Sequence, residues 1–195
     1  MKSPLINIRN LNISVSTFLP EQLAASASYL EPVTVATAAP AGDALTPPAI
    51  GEIWPGQGGI YAGIRQYSEG LCHVIFAADD LGPYPWSNTS FDLITSRVDG
   101  RENTEALNAC EHSNPAAEHA CNYGADGHQD FYLPSIGELS HAWLYTPESF
   151  AKEAYWSSSQ RSAYGAYTVD FEDGWLGNNA KHNERLARPV RRILQ

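Results

Sequence analysis

One tract divides the 195-residue chain before any other feature is considered. In Pro32–Pro48 (PVTVATAAPAGDALTPP) the prolines block regular pairing and few side chains are able to pack, so the tract reads as an extended linker. It lies within Ala24–Ala49, which is rich in Ala, Pro, Thr and Ser and almost free of charge. The composition changes near Ile50. Residues 1–49 therefore read as an attachment segment plus linker, and residues 50–195 as one compact domain of ordinary size. Upstream, Leu5–Val15 alternates apolar and polar residues for most of its length, which is strand periodicity. A lone strand is not stable in water, so this one pairs with a partner chain or with the domain itself. Pro20–Leu30 fits a short helix.

Within the domain, Gly56–Gly59 (GQGG) marks a turn before a strand at Ile60–Ile64, and Leu71–Ala77 (LCHVIFA) reads as a buried strand. Thr104–Cys110 reads as a short helix with Asn103 or Thr104 on its N-cap side. Ser135–Leu144 (SIGELSHAWL) carries a stronger signal. Ser135 stands at the N-cap with Glu138 three residues on, which completes a capping box. Leu133 and Leu139 are placed for a hydrophobic staple, and Pro147 fits the end of this helix. Strands follow at Tyr164–Phe171 and Arg188–Leu194. No repeat of solenoid length is present.

Charge removes several function classes. Twelve Lys+Arg stand against 22 Asp+Glu, a formal net charge of -10, whereas nucleic-acid binding and docking on anionic lipid both need a cationic face. The longest apolar stretches, such as Cys72–Ala78, fall far short of a membrane span. Met1–Asn10 lacks the continuous apolar region of a secretory signal, so the expectation is a cytosolic protein, one exported by another route, or one freed by lysis. Of three cysteines, Cys110 and Cys121 are close enough in sequence for a small disulfide loop, with reduced thiols the other reading.

The chain offers little for catalysis. Ser157-Ser158-Ser159 follow Trp156 outside any G-x-S-x-G elbow and read as a polar turn or a packed strand end. His73, His112, His119, His128, His141 and His182 form no H-E-x-x-H or zinc spacing. His112 and His119 flank the two cysteines as C-x-H-x6-H-x-C, which reads as a solvated loop. Asp126-Gly127-His128-Gln129-Asp130, with Asn122 upstream, has the oxygen ligands that calcium takes, and Asp130 equally suits a backbone-holding role before the Leu133–Ser135 helix start. Tyr155–Asn183 is different in kind: it is dense in Tyr, Trp, Ser, Asn and Gly. Large rigid aromatics among small adaptable polar groups are the alphabet of a binding surface. Tyr155, Trp156 and Phe171 read as core, and Tyr164, Tyr167 and Trp175 as outward-facing.

At this block the sequence resembles the DUF1566 family, also called the Lcl C-terminal domain family. The residues that carry the resemblance are Tyr155–Gln160 (YWSSSQ), Ala166, Phe171, Gly174 and Arg188–Arg192 (RPVRR). Upstream, GEIW at Gly51–Trp54, GGIYA at Gly58–Ala62, Asp126-Gly127 and FYLPSIGEL at Phe131–Leu139 fit the same pattern, with Phe131-Tyr132 where the family usually has Trp. The match runs from about Ile50 to Leu194. It implies an α+β fold of C-type-lectin-like form, a small twisted antiparallel sheet with two helices and long loops. Family members are adhesin tips and phage tail-fibre or virion proteins, and some are targets of diversity-generating retroelements. In that likeness the frame packs the fold while the residues between it vary and contact ligand: Arg161, Tyr164, Tyr167, Thr168, Asp170, Glu172, Trp175, Asn178, Asn179, His182 and Asn183. Arg188, Arg191 and Arg192 of the frame pair with carboxylates such as Glu138 or Asp130, or form a solvated basic end; a polyanion site is the third reading, which the net charge disfavours.

The resulting expectation is a non-enzymatic receptor-binding protein at the tip of a phage fibre, presenting its C-terminal loops to a host-surface protein or glycan. The N-terminal segment would attach it to other virion proteins, and the assembly would be a homotrimer that gains by multivalency. Neither nucleic acid nor membrane insertion is expected, and no cofactor, with calcium as the one exception to test. The protein would be made in the host cytoplasm, carried on the virion and act outside the cell. The rivals are a bacterial surface or secreted lectin-like adhesin, a structural virion component, and an enzyme similar to formylglycine-generating oxidases. That last reading needs paired active-site cysteines, which Cys110 and Cys121 do not supply in the expected place.

Overall fold

The computed structural model describes residues 45–195. The expected strand at Leu5–Val15, the helix at Pro20–Leu30 and most of the linker lie outside the described residues. The fold is α+β, with two largely antiparallel sheets and three α-helices. The first sheet holds β1 (Ile53–Trp54), β2 (Gly59–Tyr67), β3 (Gly70–Ala77) and β9 (Val190–Leu194), in the order β1-β2-β3-β9. The second holds β4 (Gly82–Pro85), β5 (Ala154–Ser162), β6 (Gly165–Asp170), β7 (Leu176–Ala180) and β8 (Glu184–Ala187), in the order β4-β8-β5-β6-β7. A parallel contact between Tyr155 and Leu186 joins β5 to β8. The helices are α1 (Gly100–Ala109), α2 (Pro115–Cys121) and α3 (Ile136–Tyr145), with a 3-10 turn at Pro147–Ser149. Among the described residues no helix is long and apolar enough to cross a membrane.

Local chemistry sets the helix starts. Ser135 caps α3 through its side chain, and Glu138 returns the hydrogen bond to the Ser135 backbone, which is the expected capping box. The staple does not form: Leu133 and Leu139 pack into different apolar clusters. α1 starts four residues earlier than expected, because Asp99 caps it by accepting from the Glu102 N–H at 3.1 Å. Asn103 and Thr104, the two expected caps, are buried in the helix: the Asn103 amide ties down Ser96, and the Thr104 hydroxyl donates to Gly100 O. α2 was not expected, yet it begins on Pro115, whose missing N–H costs nothing at a first helical position. Among the described residues the helices thus number three rather than two, and the sheets two rather than one.

One apolar cluster joins the two sheets. Val74 and Phe76 of β3, Leu139 and Ala142 of α3, and Tyr155 and Val169 of the second sheet meet in it. Another seats Trp156 and Trp86 against α1 and α2. Each indole N–H finds a carbonyl: Trp86 donates to Ser157 O and Trp156 to Tyr84 O, both at 2.8 Å. Trp86 also opens a long irregular stretch that runs to Asp99 before α1 begins.

The polar frame is buried with the core. Arg188, Arg191 and Arg192 are 5–8% exposed and ion-paired, so the solvated basic end is overturned. Arg188 meets Asp80 at 2.6 Å, Arg191 meets Asp130 at 2.7 Å, and Arg192 holds Glu69 at 2.6 Å and Asp99 at 2.9 Å. An arginine partner for Glu138 is not formed. That buried carboxylate accepts from Tyr67 OH and Tyr132 OH on one oxygen, and from the Gly100 N–H and the Ser135 N–H and hydroxyl on the other. Burial first, and then the Glu138 charge, hold both phenols well above the ordinary tyrosine range, which keeps them protonated as donors.

Candidate functional site

The Tyr155–Asn183 block runs from the buried central strand of the second sheet, β5, out through β6 to β7. β6 and β7 form a regular antiparallel ribbon, with Gly165 opposite Ala180, Tyr167 opposite Asn178 and Val169 opposite Leu176. β7 is the sheet's edge. The turn that joins them is held by its own side chains. Asp170 accepts from the Glu172 N–H at 2.9 Å, and Asp173 accepts from the Trp175 N–H at 2.8 Å. Gly174 sits at φ 78° with Trp143 of α3 packed on it, so a Cβ there would lie 2.3 Å from the indole. Trp175 emerges from this turn 70% exposed. Its ring lies over Gly177, where a Cβ would approach it to 3.0 Å.

The opposite end of the ribbon presents Tyr164, 72% exposed, on the turn between β5 and β6. A pocket of about 210 Å³ opens beside it, lined by Ser87–Ser90, Tyr164, Lys181 and His182. Lys181 organises this end from beneath. Its ammonium donates to Phe91 O at 2.7 Å and Gln160 Oε1 at 3.2 Å, and it lies 3.9 Å from the Phe91 ring and 4.5 Å from the Trp86 ring. Its carbonyl accepts from the Trp86 and Ser87 N–H groups, which fixes the start of the Ser87–Ser90 loop. Burial pulls the Lys181 amine down to about 8, with the nearby Asp92 charge opposing.

The eleven predicted contact residues separate on this scaffold. Arg161, Tyr164, Glu172, Trp175, Asn178 and His182 are exposed, and Tyr167, Asp170, Asn179 and Asn183 are half-buried. Thr168 is 3% exposed, and its hydroxyl accepts from the Asn179 amide at 3.1 Å, so its side chain belongs to the interior. Asn179 is held in turn by Arg185 at 2.8 Å, and the Tyr167 hydroxyl accepts from Arg97 at 2.8 Å. Tyr164 and His182 meet at one pocket. Glu172 lies at the other end on a groove of about 500 Å³, shared with Trp143, Phe150, Lys152 and Phe171. The two ends stand roughly 16 Å apart, five residues of strand at about 3.3 Å each. Lys181, Trp143 and Ser87–Ser90 were not among the predicted residues. Trp143 and Ser87–Ser90 come from distant chain segments, and only Lys181, a lone cation in NNAKHN, carried a local signal.

The remaining candidates have partners of their own. The Ser157 hydroxyl donates to Tyr167 O, Ser158 accepts from Asn103, and Ser159 donates to Ser96 O, which makes the triplet a packed strand. Asp126 accepts from the Gly58 N–H at 3.0 Å and Asp130 holds Arg191. His112 stacks on Phe91 and His119 on Tyr84. All three cysteines are free thiols. Cys121 lines a separate pocket of about 340 Å³ with Arg101, Thr104 and Tyr132, while the Cys110 thiol turns to Leu107 O at the far end of α1. Among the described residues no group of three or more His, Cys, Asp or Glu is arranged to hold a metal ion.

No family model matches the chain, and no curated relative does. Among solved structures, a fimbrial protein from Bacteroides ovatus ATCC 8483 superposes with a TM-score of 0.43 at 16% identity, over 60% of this chain and 35% of that one. The chain thus spans about a third of that protein's length, and a likeness at this level carries no argument about function.

Proposed function

We propose that the chain is a receptor-binding adhesion domain, C-type-lectin-like in form, that works at a phage fibre tip without catalysis. The observation that carries this reading is the placement of Tyr164 and Trp175. Each stands more than two-thirds exposed on a braced turn, one at either end of an edge ribbon, and each end has a cavity beside it. Aromatic anchors on a rigid scaffold bind with less entropy loss, because the turn that carries each is already set. The phage setting rests on the YWSSSQ and RPVRR frame and its resemblance to tail-fibre proteins. On this reading residues 1–49 join the domain to its particle as a trimer, and the ligand is a host-surface protein or glycan.

Binding of purified protein to intact candidate host cells tests this. Wild type is expected to bind, and a Tyr164→Ala/Trp175→Ala variant with an unchanged circular dichroism spectrum is expected to lose binding at least tenfold. Equal binding by both would move the site elsewhere. Absence of binding on every candidate host would favour a structural virion component.

A further inference from the structure

Every sheet edge among the described residues is guarded except one. β1 ends the first sheet and is only two residues long, and the edge of β2 beyond it is broken by a bulge between Tyr61 and Ile64 and carries the charged Arg65. β9, at the other end of that sheet, is covered: Val190 exchanges both backbone hydrogen bonds with Tyr132, and Arg192 O accepts from the Arg101 guanidinium. β4 ends the second sheet and carries Pro83 and Pro85, which have no N–H to offer. β7 is five residues long and has no proline, no charged residue and no bulge. Natural edges of that length are normally blunted, because a row of free N–H and C=O groups templates another strand.

The register shows which groups are free. The Lys181 N–H donates to Tyr164 O, and the Asp170 N–H donates to Trp175 O, so odd-numbered residues of β7 aim their backbone groups inward at β6. The even-numbered residues aim outward. β9 obeys the same alternation, with Val190 and Arg192 as its outward residues. On β7, Leu176 and Asn178 each present an N–H and a C=O, and Ala180 presents an N–H, its carbonyl being taken by the Asn183 N–H. Charge differs between the two ends of the ribbon. Asp170, Glu172 and Asp173 lie at the Trp175 end, where Lys152 shares the Glu172 groove, and Arg161, two strands in on β5, lies at the Tyr164 end, with a neutral β7 between them.

We propose that β7 receives an extended segment of a protein partner as an added strand. That segment is neutral at its centre, with a Lys or Arg at the Trp175 end and an acidic residue at the Tyr164 end. Main-chain hydrogen bonds to Leu176, Asn178 and Ala180 supply the docking, and the aromatics at either end mark its length. The cation lies against the Trp175 ring and the Glu172 carboxylate, where a ring face and an anion both attract it. This inference rests on the adhesion reading above and narrows its ligand from protein or glycan to an exposed strand.

The test uses the full chain and immobilised ten-residue peptides with a Thr/Val centre. The peptides carry Lys at one end and Glu at the other, in both directions, alongside versions with a central proline. Wild type is expected to be retained by peptides of one direction and not by the proline versions. Asn178→Pro removes an outward N–H while leaving every β6–β7 hydrogen bond intact, and is expected to weaken retention at least tenfold. Asn178→Ala is expected to change it less than twofold. Glu172→Lys, an exposed change that avoids any folding defect of the proline variant, is expected to cut retention by the Lys-bearing peptides at least fivefold. Retention of no peptide, equal retention of the proline versions, or indifference to both Asn178→Pro and Glu172→Lys would overturn the proposal. So would a wild-type oligomer on size exclusion that Asn178→Pro dissolves, since the occupant would then be a second copy. Cell binding that depends on Tyr164 and Trp175 without peptide retention would leave the adhesion reading standing and remove this one.

Discussion

The buried polar frame and the β6–β7 ribbon use the same kinds of residue to opposite ends. In the frame, Glu138 accepts five hydrogen bonds and three arginines hold four carboxylates, with the arginines and Glu138 almost wholly out of water. Burying such groups is costly unless every partner is present, so each member depends on the others. In the ribbon, polar groups brace turns from outside, and Tyr164 and Trp175 stand 72% and 70% exposed. One region turns polar residues into fold specificity; the other holds apolar residues in water for a ligand to cover.

The sharpest way to break this contrast is Glu138→Ala. It strands five donors in the interior, and the expected cost is about 3–5 kcal/mol in urea denaturation. A cost below about 1 kcal/mol would mean that water or a rearranged side chain satisfies those donors. Asp99→Ala removes the α1 cap and one partner of Arg192 together, with an expected loss of about 3 kcal/mol. Gly174→Ala forces a Cβ into Trp143 at a left-handed φ, and should cost about 1–3 kcal/mol while displacing Trp175. A variant as stable as wild type would show that the turn is not braced against α3.

Acid tests the frame by a different route. Burial pushes the Asp99 and Asp130 carboxyls up, but the hydrogen bonds and charge of Arg192 and Arg191 together with backbone hydrogen bonds outweigh it and leave both below the ordinary aspartate value. Their contribution is full above pH 3.8, the unfolded value, and is lost as pH falls below it toward the folded values. Lys181 acts in the opposite sense. Its folded amine titrates at about 8 against 10.5 unfolded, so protonation favours the unfolded chain and stability rises with pH from 8 upward. Above pH 10 the raised tyrosines oppose that gain, because their ionisation favours the unfolded chain. Melting temperature measured between pH 8 and 10 should climb in wild type and flatten in Lys181→Met.

The smallest stability effect is expected where the functional effect is largest. Tyr164→Ala/Trp175→Ala should change unfolding free energy by less than about 0.5 kcal/mol, as exposed side chains do. Loss of cell binding without loss of stability is the separation that the two regions predict. A large destabilisation would make these aromatics part of the frame.

Much of the frame was legible in the chain because it is written in local chemistry. The Ser135/Glu138 capping box, the strand expected at Leu71–Ala77, which is buried from Cys72 onward with Leu71 exposed, and the final strand are set by residues within a few positions of each other. The α1 start was missed because Asp99 and Asn103 are both good caps, and only packing against Ser96 and Ser158 takes Asn103 inside. Thr168 was read as a contact residue because it lies between the frame residues that carry the family resemblance; the neighbouring strand that buries it is not visible from its own sequence.

By itself, then, the sequence determined the main helix with its capping box, and the Tyr/Trp/Asn-rich composition of the block that carries the exposed aromatics. Those follow from composition and from contacts a few residues long. Tertiary structure alone decided the partners of the three arginines, with Arg188 pairing across 108 positions and Arg192 across 93 and 123. It alone also decided that Tyr164 and Trp175 stand at opposite ends of one ribbon and that, among the described residues, β7 lies unguarded at an edge. Strand order and ion pairing depend on which distant segments meet, and a chain's local chemistry does not encode those meetings.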